Sequence, residues 1–545
     1  MRKQMCIAFA GLLLLNADSG FCLAADAPQP LQPLNPGSGL TVVDWMIIVL
    51  YGASTLALGW YFGRRQRNIN EYFVGSGHMN PVLVGVSLFA TLLSTISYLS
   101  MPGEALGKGP GYQITNLALP FVFLVVGFGL IPVYMRQRVT SAYELLEDRL
   151  GLSVRLLGAS LFIALRLAWM SLLVFLTAKA MTIMLGVTED AIPWIVLVTG
   201  LVAVTYTSLG GLRAVVITDC LQTVLLFSGA LLVVGTVTFD LGGFGWFPTT
   251  WQDNWDIQPL YSTDPSTRLT LIGSMVSVFI WYVCTSGGDQ TSVQRFMATK
   301  DASAARWAYA TQLTVGVVVG LTLACVGFAL LGYFEAHPEL LPAHINLKNN
   351  ADDVFPFFIA YRLPMGISGL VVSAMFAAAM SSLDSGVNSI TAVVMTDFRN
   401  RLGRTPLNDR QQVLLAKCLC FGIGALVVIG SSQMYRVPGN ITEMTQKTSN
   451  LLTTPIFCLF FFALFVPFAR PIGVFAGTIC GVGTAAVIAF SGPLFGFVGP
   501  DKNLDPISFQ YIGPCSILVD LAVGCLVSLG DRKLRPQHKK LILPQ

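Results

Sequence analysis

Residues 377–389, Ala-Ala-Ala-Met-Ser-Ser-Leu-Asp-Ser-Gly-Val-Asn-Ser, place hydroxyls, a carboxylate and an amide inside a hydrophobic segment running from about Pro364 to Val394. At roughly 100° per residue along a helix, Ala377, Ala378, Ser381, Ser382, Asp384, Ser385, Asn388 and Ser389 share about half of the surface, while Met380, Leu383 and Val387 fall opposite. Oxygens with no water nearby need a partner. A hard cation such as Na⁺ is one such partner, and a closely packed helix is another, because small residues let backbones approach. On this stretch alone the cation site and the packing seam both stay open.

Three further stretches carry polar groups in apolar surroundings. From Gly85 to Glu104 the chain spreads Ser87, Thr91, Ser94, Thr95, Ser97 and Ser100 through hydrophobic sequence, with Pro102-Gly103 after them. This pattern predicts a helix that opens in mid-membrane, where unwound carbonyls are cation ligands; the bland alternative is Ser and Thr bonding back to the preceding turn. Between Tyr206 and Gln222 a Gly210-Gly211 turn precedes Thr218, Asp219 and Gln222. The Asp219 carboxylate needs a cation, Arg166 or Lys179 beside it, unless it is hydrated near the interface. A second break is expected at Gly287-Gly288 within Tyr282-Val-Cys-Thr-Ser-Gly-Gly-Asp-Gln290.

These groups must be positioned by membrane helices. The chain has 545 residues, 54% hydrophobic and only 11% charged, with a mean hydropathy of +0.67. Its apolar residues fall in runs at about 42–62, 80–102, 113–135, 157–186, 191–209, 214–240, 270–293, 308–333, 364–394, 411–431, 449–469, 472–491 and 511–530, roughly thirteen helices of an all-α polytopic membrane protein. The net charge of +4 does not suit a nucleic-acid partner. The eleven cysteines show no metal-like spacing and the four histidines form no HExxH pattern, which disfavours a membrane enzyme. The absence of a P-loop likewise disfavours an ATP-driven pump.

Residues 1–25 read as a cleavable secretory signal: Arg2 and Lys3, an apolar core from Cys6 to Leu15, then small residues at Ala24-Ala25. An exposed Pro-rich leader, 26–41, follows, so the N-terminus is expected outside. Basic clusters at Arg64–Arg67, Arg136 to Arg155, Arg213, Arg295 to Arg306, Arg399 to Arg410, Arg470 and the 531–545 tail then all fall on the cytoplasmic side. The expected location is a cell (inner) membrane with the C-terminus cytoplasmic.

Taken together the polar stretches resemble the sodium/solute symporter family, sodium/glucose cotransporter-like, and specifically a bacterial-type member. The resemblance covers about residues 42–470. It rests on Glu71-Tyr72-Phe73-Val74, on Gly210-Gly211-Leu212-x-Ala214-Val215-x-x-Thr218-Asp219-x-x-Gln222, on Asp289-Gln290-x-x-Val293-Gln294-Arg295-x-x-Ala298-x-Lys300, and on Ser381-Ser382-Leu383-x-Ser385-x-x-Asn388-Ser389. It implies the LeuT-type architecture: inverted five-helix repeats at about 80–240 and 270–469, an extra N-terminal helix at 42–62 and extra C-terminal helices at 472–530. It also implies Na⁺ as coupling ion, held by carbonyls at Ala90, Leu93 and Ala378 and hydroxyls at Ser381 and Ser382. A second sodium is expected at Asp219 and Ser385, with Asp384.

The expected partners are therefore sodium ions, a small organic solute and the lipid bilayer. The solute pocket is expected around Ser94, Ser97, Tyr98, Tyr282, Thr285 and Asp289. The chain departs from sugar-transporting relatives at Ser97, Thr285 and Asp384, so a sugar with the same contacts is in doubt, and a monocarboxylate or other organic anion stands beside it. The competing function is a non-transporting sensor or channel on the same scaffold.

Overall fold

A backbone in lipid must satisfy its own N–H and C=O groups, and this chain does so with helices throughout; no strand occurs among the described residues. The computed structural model describes residues 40–63, 77–137, 141–343, 345–348, 350–402, 408–434, 441–495 and 506–534. The expected signal segment, nearly all of the leader, the Arg64–Arg67 loop, the Glu71–Val74 motif and the tail beyond residue 534 lie outside them.

Helix α1 spans Val42–Gly63. Helices α2 (Pro81–Leu92) and α3 (Thr95–Lys108) form one bent pair, and α4 is the span Pro110–Gln137. The short α5 (Glu144–Leu150) leads to α6 (Leu152–Leu185) and α7 (Ile192–Asp240). A second interrupted pair, α8 (Leu271–Gly288) and α9 (Gln290–Met297), precedes α10 (Ala302–Ala336) and α11 (Ala351–Tyr361). The chain continues with α12 (Ile367–Leu402), α13 (Asp409–Ser431), α14 (Ile441–Phe465), α15 (Pro471–Ala489) and α16 (Ile512–Leu534).

Ten helices among the described residues are long and apolar enough to cross a membrane, and the bent pair makes eleven. Thirteen were expected. The 42–62 segment shows its apolar helix over Val42–Leu58, and the 191–209 segment is not separate, because helical backbone runs through Gly210-Gly211 within α7. The predicted turn there does not form: glycine weakens a helix but, unlike proline, keeps the N–H that continues it.

The polar segment lies in α12, the most enclosed of the spans, with 83% of its apolar window buried. Met380, Leu383 and Val387 on the far side join the main hydrophobic cluster with Met170 and Leu172 of α6. Both sides of the helix are therefore inside protein. Its start is tied to α1, where Asp44 Oδ1 accepts from the N–H groups of Gly366 and Gly369, both at 2.8 Å. Gly366 takes φ +87°, a conformation that glycine adopts without the Cβ penalty.

Candidate functional site

The first break falls at Leu93-Ser94, and the two halves bend by 70°. It does not fall at Pro102, which sits inside α3. At Leu93 the chain becomes extended, so the last carbonyls of α2 lose the N–H groups that a continuing helix would supply. Ser382 Oγ of α12 supplies a donor instead, lying 3.3 Å from the carbonyl oxygens of both Thr91 and Leu93. Thr95 Oγ1 at the start of α3 adds a 3.0 Å bond to the Met375 carbonyl. The exposed backbone of the break and the hydroxyls of α12 thus share one locus. Of the expected main sodium residues, Leu93 and Ser382 meet directly, with Thr91 beside them, and Ala378 packs in the same apolar cluster as Leu93. Ala90 is buried one turn before the break.

Ser381 turns to a different partner, donating to Asp219 Oδ1 at 2.5 Å. The other oxygen of Asp219 accepts from Ser87 Oγ at 2.5 Å and faces Arg295 Nη2 at 3.3 Å. The same Nη2 is 2.6 Å from Ser385 Oγ, and Arg295 Nε donates to Ser87 Oγ at 2.9 Å. Asp384 accepts from Ser385 Oγ at 3.4 Å. Arg295 and Asp219 are both 0% exposed. A lone charge at this depth is prohibitive, and each neutralises the other. The expected second sodium residues are therefore together, with the Arg295 guanidinium between Asp219 and Ser385. Sequence spacing had offered Arg166 or Lys179 as the cation for Asp219; Arg166 is instead bonded to Asp289.

That ion pair belongs to the second break. Asp289 is its junction residue, capping α9 by accepting from the Thr291 N–H at 2.8 Å. Gly287 and Gly288, expected to be the break itself, lie in the last turn of α8, where a Cβ on either would press on Phe457 of α14. They are there for close approach. Their carbonyls accept from the hydroxyls of Tyr134 and Tyr143.

Beside the first break lies a cavity of about 200 Å³, walled by α2, α3, α4, α6, α8, α10 and α14. Ser97 and Tyr282 of the expected solute pocket line it, alongside Phe89, Ser100, Glu104, Gln113, Asn116, Trp169, Trp281, Gln312, Thr445 and Gln446. The other four expected residues lie outside this lining, each for a local reason. Ser94 caps α3, accepting from the Ser97 N–H. Tyr98 packs its ring on Phe355 at 5.6 Å, Thr285 is buried in the last turn of α8, and Asp289 is held by Arg166. Of the lining residues the sequence did not single out, Trp169, Gln312, Thr445 and Gln446 come from helices distant along the chain from α3. Gln312 was detectable as a lone amide in an apolar run; the tryptophans carried no such signal.

At the C-terminal end of α3, Glu104 takes a two-pronged bond from Arg268, at 2.9 and 3.0 Å, and Lys108 pairs with Asp256 at 3.2 Å. At the end carrying α5, Arg155 bridges Asp397 of α12 (2.6 Å) and Glu147 (2.7 Å), and Arg401 also bonds Glu147.

Comparison with known proteins agrees with this arrangement. The chain is 27% identical to the sodium/sialic acid symporter NanT of Aliivibrio fischeri, over 89% of this chain and 93% of that one. It is 28% identical to the sodium/sialic acid symporter SiaT of Proteus mirabilis, over 88% and 93%, and 25% identical to the human sodium/iodide cotransporter, over 83% and 70%. A solved structure of a Na⁺-coupled sialic acid symporter, substrate-bound and outward-open and described as revealing a novel Na⁺ site, superposes with a TM-score of 0.76 at 25% identity. The alignment covers 92% of this chain and all of that one. The family model for sodium:solute symporters matches residues 72–481, and with most of its length so matched, around two interrupted helices and a hydroxyl-rich central span, the chain belongs to the sodium:solute symporter family.

Proposed function

We propose that the protein imports a small organic solute together with Na⁺ by alternating access, with the solute in the cavity between the broken helices and a sodium ion at the contact of α2 with α12. The observation that carries this reading is the Ser382 hydroxyl on the Thr91 and Leu93 carbonyls at the Leu93-Ser94 break. Carbonyl and hydroxyl oxygens suit a hard cation, and a helix break in a membrane is tolerated only where it is buried in protein or lines a cavity. Sodium would draw Ala90, Leu93, Ala378, Ser381 and Ser382 together and so order the cavity, which Leu92 and Leu93 also line. Loss of sodium to a sodium-poor cytoplasm would release both. A second sodium at Asp219, Ser385 and Asp384 would require the Arg295 guanidinium to move aside. We place the protein in the inner membrane with its N-terminus outside, on the distribution of basic loops.

The test uses purified protein, following intrinsic tryptophan fluorescence as sodium replaces potassium, and then reconstituted vesicles with an imposed inward sodium gradient. Ser382→Ala is expected to raise the half-saturating sodium concentration more than about tenfold, since it removes a ligand, and to abolish sodium-driven uptake while the protein remains folded. Unchanged sodium dependence would overturn the site. Sodium-dependent binding without accumulation would point to the sensor or channel.

A further inference from the structure

The lining of the cavity is electrically closed. Its one charged side chain among the described residues is Glu104, which Arg268 already neutralises with both nitrogens of its fork, at 2.9 and 3.0 Å. No Lys, Arg or His among the described residues lies in the lining. Three cations on the surrounding helices are paired, Arg166 to Asp289, Arg295 to Asp219 and Lys108 to Asp256. A carboxylate entering this cavity would lose its water and find no guanidinium, only the neutral hydroxyls and amides of the lining in place of a counter-charge.

The lining also holds a buried acceptor that asks for a donor, and a hydroxyl free to give or take a hydrogen bond. Gln312 Oε1 and Thr445 Oγ1 are buried and have no hydrogen-bond partner among the described residues, and Gln312 is only 3% exposed. An amide oxygen accepts hydrogen bonds and cannot donate them, so what completes it is an O–H or N–H. A deprotonated carboxylate has neither to offer. Ser97, Ser100, Gln113 and Asn116 extend the same neutral, hydroxyl-and-amide chemistry along α3 and α4. Trp169 and Trp281 also line the cavity and add apolar ring surface, of the kind against which the C–H face of a sugar can lie. At about 200 Å³ the space is below the ~300–1,000 Å³ of drug-sized sites, and so fits a single ring.

We infer that the solute is an uncharged, donor-rich molecule of monosaccharide size, carrying hydroxyls or an amide N–H and no carboxylate. This departs from the sialic acid and iodide named for its relatives. The inference rests on the reading of the cavity as the solute site of a sodium symporter.

The experiment is a binding panel on the purified full chain in sodium and in potassium, read by thermal shift and tryptophan fluorescence. The panel consists of two matched pairs, glucose with glucuronate and N-acetylneuraminate methyl ester with N-acetylneuraminate, plus choline as a cation. The expected result is sodium-dependent binding of a neutral member at least tenfold tighter than its acid counterpart. Glu104→Gln, which releases Arg268, is expected to narrow that ratio at least threefold. Equal or tighter binding of the acids in sodium overturns the inference and leaves sodium coupling standing, and so does preferential binding of choline, which would mean that a cation displaces Arg268 from Glu104. Neutral-sugar binding that is identical in sodium and potassium overturns the coupled-site reading instead. The wild-type panel decides the solute class even if Glu104→Gln does not fold.

Discussion

At the scale of single residues, the costliest feature of the molecule is the pair Asp219–Arg295, both wholly enclosed. Taken alone, either charge at that depth would be neutralised or expelled; together with Ser87, Ser381 and Ser385 they form a closed set of donors and acceptors. Deleting one partner strands the other. Arg295→Gln should therefore destabilise the protein by about 3–5 kcal/mol, seen as a lower Tm in detergent, while the double variant Asp219→Asn/Arg295→Gln should recover more than half of the loss. A double variant no better than Arg295→Gln would mean that the guanidinium matters for its packing and not for its charge. The need for a partner at Asp219 was legible in the chain, because a carboxylate in an apolar run is costly unless it is paired or hydrated near the interface. Which cation was not. Arg295 reads from sequence as a residue of the cytoplasmic edge, and only the turn of the chain at Asp289 carries it inward to α12.

At the scale of elements, the two breaks show what residue type can and cannot announce. The hydroxyl-rich stretch of α2–α3 was recognisable as a helix that opens, yet its proline was a poor guide to where: Pro102 is accommodated inside α3, and the opening is at Leu93-Ser94, where Ser94 caps the new helix. Capping competes with continuation of the helix, and five other hydroxyls in the stretch could have done the same on spacing alone. Glycine was read as the second break but acts as a contact surface. The same holds along α10, which braces both halves of the first broken helix: Gly85 of α2 lies on Ala308 and Thr311, and Gly327 of α10 lies on Pro102 and Ala105 of α3. A methyl group at Gly327 would collide with the Pro102 carbonyl. Gly327→Ala should cost about 1–3 kcal/mol as overpacking and lower uptake by displacing α3 from the cavity. Gly316 on the same helix is the control, since a Cβ there meets only Phe89, at 3.7 Å, and Gly316→Ala should be neutral or slightly stabilising in a thermal melt. Equal losses in the two variants would mean that α10 does not serve as a brace.

At the scale of the whole molecule, the composition already required a bundle of membrane helices, and the hydropathy runs located most of them; what they could not convey is how the two ends of the bundle are tied. The alternating access proposed above would need each end to open in turn. One end is held through Glu104–Arg268 and the loop that caps α3, where the Trp255 indole donates to the Leu106 carbonyl at 3.0 Å. The other is held by a cluster in which Arg155 of α6 joins Asp397 of α12 to Glu147 of α5, with Arg401 closing on Glu147. Glu147 is the member outside the membrane spans, and its hydrogen bond from Arg401, then that from Arg155, holds its carboxyl below the ordinary range. A group with a depressed folded-state pKa contributes its stabilisation fully above its unfolded value and loses it as pH falls through the folded one. The fastening of α5 by Glu147 should thus be complete at neutral pH and fade below about pH 4.5, the ordinary value for the side chain. Hydrogen-exchange protection factors for α5 should fall by about three- to fivefold, the scale of a partly exposed ion pair, between neutral and acid pH in the wild type. Glu147→Gln should show the lower protection at both pH values, with no further change on acidification. Protection that falls with pH equally in the variant would assign the acid sensitivity to another group and remove Glu147 from the device that ties α5 to α12.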